Sequence, residues 1–330
     1  MNEVRARVIT QEKGLYTLKY GDAENIAEVS GKFRYEANSI SDYPAVGDYV
    51  TASWPVDGSH SIISGVYPRK SVFIRKAAGT GRDEQVVAAN IDTVFICMSL
   101  NHDLNLRRLE RYVTVSWDSG AVPVIVLTKA DLCEDPDAKA AQVSDVAAGA
   151  DIVVTSSRQQ DISGVEKYLE KGKTYAFIGS SGVGKSTLIN TLLKREVLRT
   201  AEIRADDDKG KHTTTHRELI ELENGAYVID TPGMRELGLW NNEEGMEIAF
   251  SDIEEMIRGC RFSNCTHVNE PGCNILKALE DGTLSEDRWN SYQKLMKENA
   301  YSGNTDDYLL AKKAKFKKIA KINRKTDQGG

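Results

Sequence analysis

Over the first 75 residues apolar and polar positions alternate in short runs, which predicts strands near 4–10, 15–20, 27–29, 49–54 and 61–67. Gly, Pro, Asn and Asp separate the runs, a pattern that fits a small β-barrel of the OB-fold kind over 1–75. Residues 76–90, KAAGTGRDEQVVAAN, read as a mobile connection. From residue 91 the period changes. Apolar runs of strand length near 91–98, 122–127, 151–155 and 173–178 alternate with helical spacing near 104–117, 136–148 and 161–170. Such alternation predicts a parallel sheet covered on both faces. Residues 199–215 are polar with no period, and two further strands are expected at 216–222 and 226–229. Helical spacing returns at 244–258, 274–281 and 285–300. The chain is therefore expected to be multidomain α/β: a barrel over 1–75, a linker at 76–90, an α/β domain at 91–240 and a helical domain at 241–330.

One stretch within this pattern carries chemistry. Gly179, Ser180, Ser181, Gly182, Val183, Gly184, Lys185, Ser186 and Thr187 fit G-x-x-x-x-G-K-[ST] between a strand-like and a helix-like segment. That order points backbone N–H groups and a helix N-terminus at a phosphate chain. Lys185 is expected to reach the β- and γ-phosphates, and the Ser186 hydroxyl to bind Mg²⁺. A strand at 226–229 leads into Asp230-Thr-Pro-Gly233, where Asp230 can hold Mg²⁺ through water and the Gly233 N–H can sense a γ-phosphate. Between them lies Gly210-Lys-His-Thr-Thr-Thr215. Thr214 or Thr215 could complete the Mg²⁺ shell, and the spacing does not separate them.

Base choice is assigned to Thr128-Lys129-Ala130-Asp131, at the end of the strand at 122–127. A carboxylate at Asp131 accepts from both N1–H and the exocyclic amine of guanine, whereas adenine has no N1–H. The Lys129 stem would lie along the purine face. Thr155-Ser156-Ser157 would close over the guanine oxygen with backbone N–H groups. Together these resemble the GTPase motifs, with the guanine motifs placed before the phosphate motifs. That order looks like a circularly permuted GTPase, a rearrangement tolerated because domain termini lie close together at the surface.

Cys260, Cys265, His267 and Cys273 supply three thiolates and one imidazole within fourteen residues. Four such ligands close a tetrahedron around one structural Zn²⁺. Of the other two cysteines, Cys97 sits in an apolar run and reads as a core thiol, and Cys133 as incidental. Net charge is −6, but residues 311–325 carry eight Lys or Arg and no acid. This tail reads either as a polyanion contact or as a solvated helix end. No apolar run approaches the ~20 residues of a membrane span, so a cytoplasmic protein without membrane contact is expected.

The barrel, the permuted motif order and the Cys-Cys-His-Cys segment, with Arg235-Glu-Leu-Gly-Leu-Trp240 trailing the Asp230 motif, resemble the RsgA (YjeQ/YloQ) family of small-subunit biogenesis GTPases. The resemblance implies hydrolysis of GTP to GDP and phosphate. It implies stimulation by the 30S subunit late in its maturation, contact of the barrel and zinc domain with 16S rRNA, and action as a monomer. In place of a Gln after Asp-x-x-Gly stands Met234, which cannot orient water, so His212 is the expected substitute; the other reading has His212 contacting rRNA or solvent. The family's guanine motif begins with Asn, where this chain has Thr128. Two rival functions stay open: a P-loop ATPase or kinase with a zinc module, and a passive RNA-binding protein stabilised by nucleotide.

Overall fold

The computed structural model describes residues 2–12, 14–76, 84–101, 104–147, 149–156, 161–195, 217–230 and 243–298. The chain divides into two compact units, Met1–Gly238 and Leu239–Gly330.

In the first unit, strands β1 (Asn2–Glu12), β2 (Leu15–Tyr20), β3 (Ala23–Val29), β4 (Tyr49–Trp54) and β5 (Ser61–Val66) pair in the order β1-β2-β3-β5-β4. A further β1–β4 pairing closes them into the expected five-stranded barrel. Helix α1 (Gly31–Glu36) lies between β3 and β4, with Ser30 capping it through Phe33 N at 3.0 Å. Alternate residues of the strands, among them Val8, Leu18, Ala27, Val50 and Ile63, fill the barrel interior.

The nucleotide-type domain follows. Strands β8 (Thr93–Ser99), β9 (Val122–Thr128), β10 (Asp151–Val154), β11 (Thr174–Ile178) and β13 (Tyr227–Asp230) form a parallel sheet in the order β10-β9-β8-β11-β13. β12 (Glu218–Glu221) flanks β13 antiparallel. Helices α2 (Leu106–Asp118), α3 (Pro136–Ser144), α4 (Ser163–Glu166) and α5 (Lys185–Leu193) occur between strands. Phe95, Val126, Tyr175, Leu188 and Val228 belong to its core, as does Cys97. Burial pushes the Cys97 thiol up to about 12, as befits a core thiol.

Two features depart from the sequence pattern. Residues 84–89 are not a loose connection: β6 (Val72–Lys76) and β7 (Glu84–Ala89) form a hairpin, and Val86, Val87, Ala88 and Ala89 are buried. The four-residue apolar run supplies enough buried surface to hold the strand, despite the polar Gly-rich stretch before it. The barrel and the parallel sheet are also continuous. β1 changes register between Val8 and Thr10, and beyond that bulge Thr10 pairs with Glu218 of β12. One eleven-stranded sheet results.

Buried charges reinforce the joints. Asp48, fully buried, accepts from Arg69 Nε at 2.9 Å and from Arg69 Nη2 at 2.8 Å. The same guanidinium donates to the carbonyls of Ser41 and Tyr43, each at 2.8 Å. Arg7 of β1 lies between the rings of Tyr49 (5.0 Å) and Tyr227 (4.8 Å) and donates to Thr174 Oγ1. Burial pulls its pKa below the ordinary arginine value.

The second unit is helical: α6 (Glu243–Ala249), α7 (Ser251–Arg258), α8 (Asn274–Glu280) and a helix over 286–298. Arg288 forks onto Asp252 at 2.8 and 2.7 Å and covers the Phe250 ring at 5.0 Å. No helix among the described residues is long and apolar enough to cross a membrane.

Candidate functional site

β11 is buried along its whole length and ends at Ile178, so the chain must turn sharply at Gly179. A Cβ there would collide with the carbonyl of Cys97 on β8, and Gly179 adopts φ 142. Val183 is buried and pins the loop to the core, while Ser181 and Gly182 stay exposed. Gly184, at φ 99, is the N-cap of α5, and its carbonyl accepts from Leu188 N at 2.9 Å. Lys185 thus opens the helix. Its ammonium donates to the carbonyls of Gly179 (2.7 Å) and Ser180 (2.5 Å). Ser186 is half-buried in the first turn, and Thr187 is exposed beside it. Strand, glycine turn and helix N-terminus make a cradle for phosphate oxygens.

The base motif meets this cradle from β9. Thr128 is buried, and its hydroxyl lies 2.5 Å from the Val183 carbonyl and 3.3 Å from that of Met98. Lys129 sits at φ 60, and its ammonium donates to the Gly182 carbonyl at 2.6 Å. The left-handed turn starts the short 3₁₀ segment Ala130–Leu132, which presents Asp131. Ser156, one residue past Thr155 at the end of β10, donates its hydroxyl to Asp131 Oδ1 at 2.6 Å. Ala130 N donates to the Thr155 carbonyl at 3.3 Å. The three loops therefore lie together, each at the C-terminal end of a parallel strand, where open α/β sheets bind ligands. Thr128 ties the base loop to the phosphate loop through a single hydroxyl.

Asp230 is the last residue of β13, which runs parallel to β11, so its backbone stands beside the strand that feeds the phosphate loop. Ser157, His212, Thr214, Thr215 and Gly233 lie outside the described residues, as does the tail at 311–325. One contact here was not anticipated: Arg108 of α2 donates to Ser180 Oγ.

The sulfurs of Cys260, Cys265 and Cys273 and one ring nitrogen of His267 lie within 4.8 Å of one another. Nδ1 of His267 is turned to the sulfurs, 3.4 Å from Cys273 and 3.7 Å from Cys260. Ligands 2.0–2.3 Å from Zn²⁺ stand roughly 3.5–3.8 Å apart along the edges of a tetrahedron, so the donor set fits one zinc ion. The loop is braced from within. Glu270 accepts from Thr266 N (2.9 Å), Val268 N (3.0 Å) and Asn269 N (3.2 Å) as well as from the Thr266 hydroxyl. The Thr266 hydroxyl foremost, with these N–H groups, holds its carboxyl well below the usual carboxylate range. His267 takes φ 59, and Trp289 meets its ring edge-on at 5.6 Å.

A phosphate loop behind one parallel strand and a base loop behind an earlier one define a circularly permuted P-loop GTPase. The description "RsgA GTPase" fits residues 66–240. A small ribosomal subunit biogenesis GTPase RsgA 2 from Lactiplantibacillus plantarum is 48% identical over 302 residues, which span 91% of this chain and 85% of that protein. An RsgA 1 from Oceanobacillus iheyensis is 43% identical over 98% of this chain and 93% of its own length. Among solved structures, YjeQ from Thermotoga maritima superposes with a TM-score of 0.67 at 26% identity, covering 91% of this chain and 99% of that one. YloQ, described as a circularly permuted GTPase, does so at 0.62 and 25%, covering 91% and 96%. The chain belongs to the RsgA GTPase family and is a GTP hydrolase.

Proposed function

We propose that this GTPase acts on the small ribosomal subunit late in its maturation, with hydrolysis stimulated by the 30S particle. The reading rests on one observation above the rest. Two relatives at 48% and 43% identity, matched over 91% and 98% of this chain, are small ribosomal subunit biogenesis GTPases. Asp131 selects guanine, the 179–187 loop and Lys185 hold the β- and γ-phosphates, and Mg²⁺ is shared by Ser186, Asp230 and either Thr214 or Thr215. His212 orients the attacking water. Zn²⁺ holds the Cys260–Cys273 loop as a closed structural site, and the barrel and zinc domain contact 16S rRNA.

The geometry gives this reading a physical basis in the base pocket. Ser156 orients one oxygen of Asp131, and Lys129 and Thr128 bind the base loop to the phosphate loop. The experiment is GTP turnover by the purified protein alone, with 30S subunits, and with 50S subunits. Stimulation by 30S alone is the expected result. Equal slow rates in all three would remove the ribosome from the account.

A further inference from the structure

The first turn of α2 carries two arginines and no acid. A cation there opposes the helix dipole, so their presence calls for a local reason. Asn105 caps the helix by accepting from Arg108 N at 3.0 Å, which places Arg107 and Arg108 at its second and third positions. Arg107 has its reason: it pairs at 2.5 Å with Glu110, which is 1% exposed. Arg108 reaches outside its own helix. Its Nη1 donates to the Ser180 hydroxyl, 72 residues distant in sequence. The carbonyl of that same serine takes the Lys185 ammonium.

We propose that Arg108 is a positioning residue for the phosphate loop, acting through Ser180. The proposal rests on reading 179–187 as that loop. Three glycines in six residues leave the segment many conformations in isolation, and nucleotide must otherwise order them on binding. Val183 anchors the far half of the loop in the core, and Thr128 holds its carbonyl. Ser180 is the near half's side-chain anchor, and a planar guanidinium on a helix is a stiffer holder than a lysine or a solvent molecule. Because Arg108 comes from α2 rather than from the loop itself, it ties the loop's curvature to a second element of the fold.

The test is GDP affinity, measured on the full chain for the parent, Arg108→Ala, Ser180→Ala, the double variant and Arg108→Lys, with melting temperatures recorded without nucleotide. Each single alanine variant should weaken GDP binding about three- to tenfold, as expected for loss of one charge-assisted hydrogen bond felt indirectly. The double variant should be no weaker than the weaker single, and Arg108→Lys should recover part of the loss. A merely structural arginine would lower the melting temperature and leave the affinity of the folded protein unchanged. Unchanged affinity in both singles, or losses that multiply in the double variant, would overturn the proposal. Lys185→Ala separates the two levels. Normal GDP binding by that variant would remove the phosphate-loop reading itself, whereas lost binding there with unaltered affinity in Arg108→Ala removes only the role of Arg108.

Discussion

The hydroxyl of Thr128 lies 2.5 Å from the carbonyl of Val183, joining two loops that stand 55 residues apart and in reversed order relative to ordinary small GTPases. A hydroxyl has one proton, so it serves either Val183 or Met98 at a given moment, where a primary amide could serve both. The two half-sites of the permuted chain are thus held together by this contact and by that of Lys129 with the Gly182 carbonyl.

Thr128→Val keeps the shape and removes the donor. The buried Val183 carbonyl then loses its partner, at a cost of about 1–3 kcal/mol. GDP affinity measured by calorimetry should fall roughly tenfold. Thr128→Asn should bind GDP at least as tightly as the parent. Equal affinity in Thr128→Val would show that the tie does not govern the site.

Arg69→Ala leaves the Asp48 carboxylate fully buried and without its guanidinium. Breaking a buried pair in this way costs about 3–5 kcal/mol. Chemical denaturation should show a loss of that size, centred on the barrel. A change under about 1 kcal/mol would mean that Ala45 N and Asn90 alone satisfy the carboxylate.

Metal analysis of the purified protein should find about one zinc per chain, and none in Cys273→Ser. That variant should lose ordered helix signal from the second unit. Its GDP affinity should stay within about twofold, since the base and phosphate loops both belong to the first unit. A stoichiometry unchanged by the substitution would rule out the four-ligand site.

The parts of this architecture that were legible in the sequence are those specified over short spans. Gly179–Thr187 and Cys260–Cys273 are each contiguous, and their spacing alone constrains what they can bind. The barrel strands announced themselves by alternation, and the observed β2 and β4 match the predicted spans residue for residue. What escaped depends on partners far away in the chain. The β1–β12 pairing that fuses the two sheets has no local period to betray it. β7 hid because its apolar run is only Val86–Ala89 beside charged and glycine residues. The segment 161–170 shortened to Ser163–Glu166, where Ile162 offers no side-chain cap and Gly164 weakens the turn. The helix expected over 244–258 divides at Phe250, whose backbone leaves the helical region. Arg108, read alone, is an ordinary surface arginine on a helix, and only its position against the dipole hints otherwise.

The proposed guanine-nucleotide site joins two loops in permuted order and is read by Asp131. The most direct test is competition of GDP, ADP and XDP against a fluorescent guanine nucleotide, with the parent and with Asp131→Asn. Guanine offers an amine where xanthine offers a carbonyl, so exchanging the carboxylate for an amide should transfer preference from GDP to XDP. The parent should favour GDP over ADP by at least about 100-fold, since buried polar groups are left unpaired with the wrong base, and the variant should reverse GDP against XDP. Comparable binding of ADP and GDP by the parent, or an unaltered order in the variant, would contradict it.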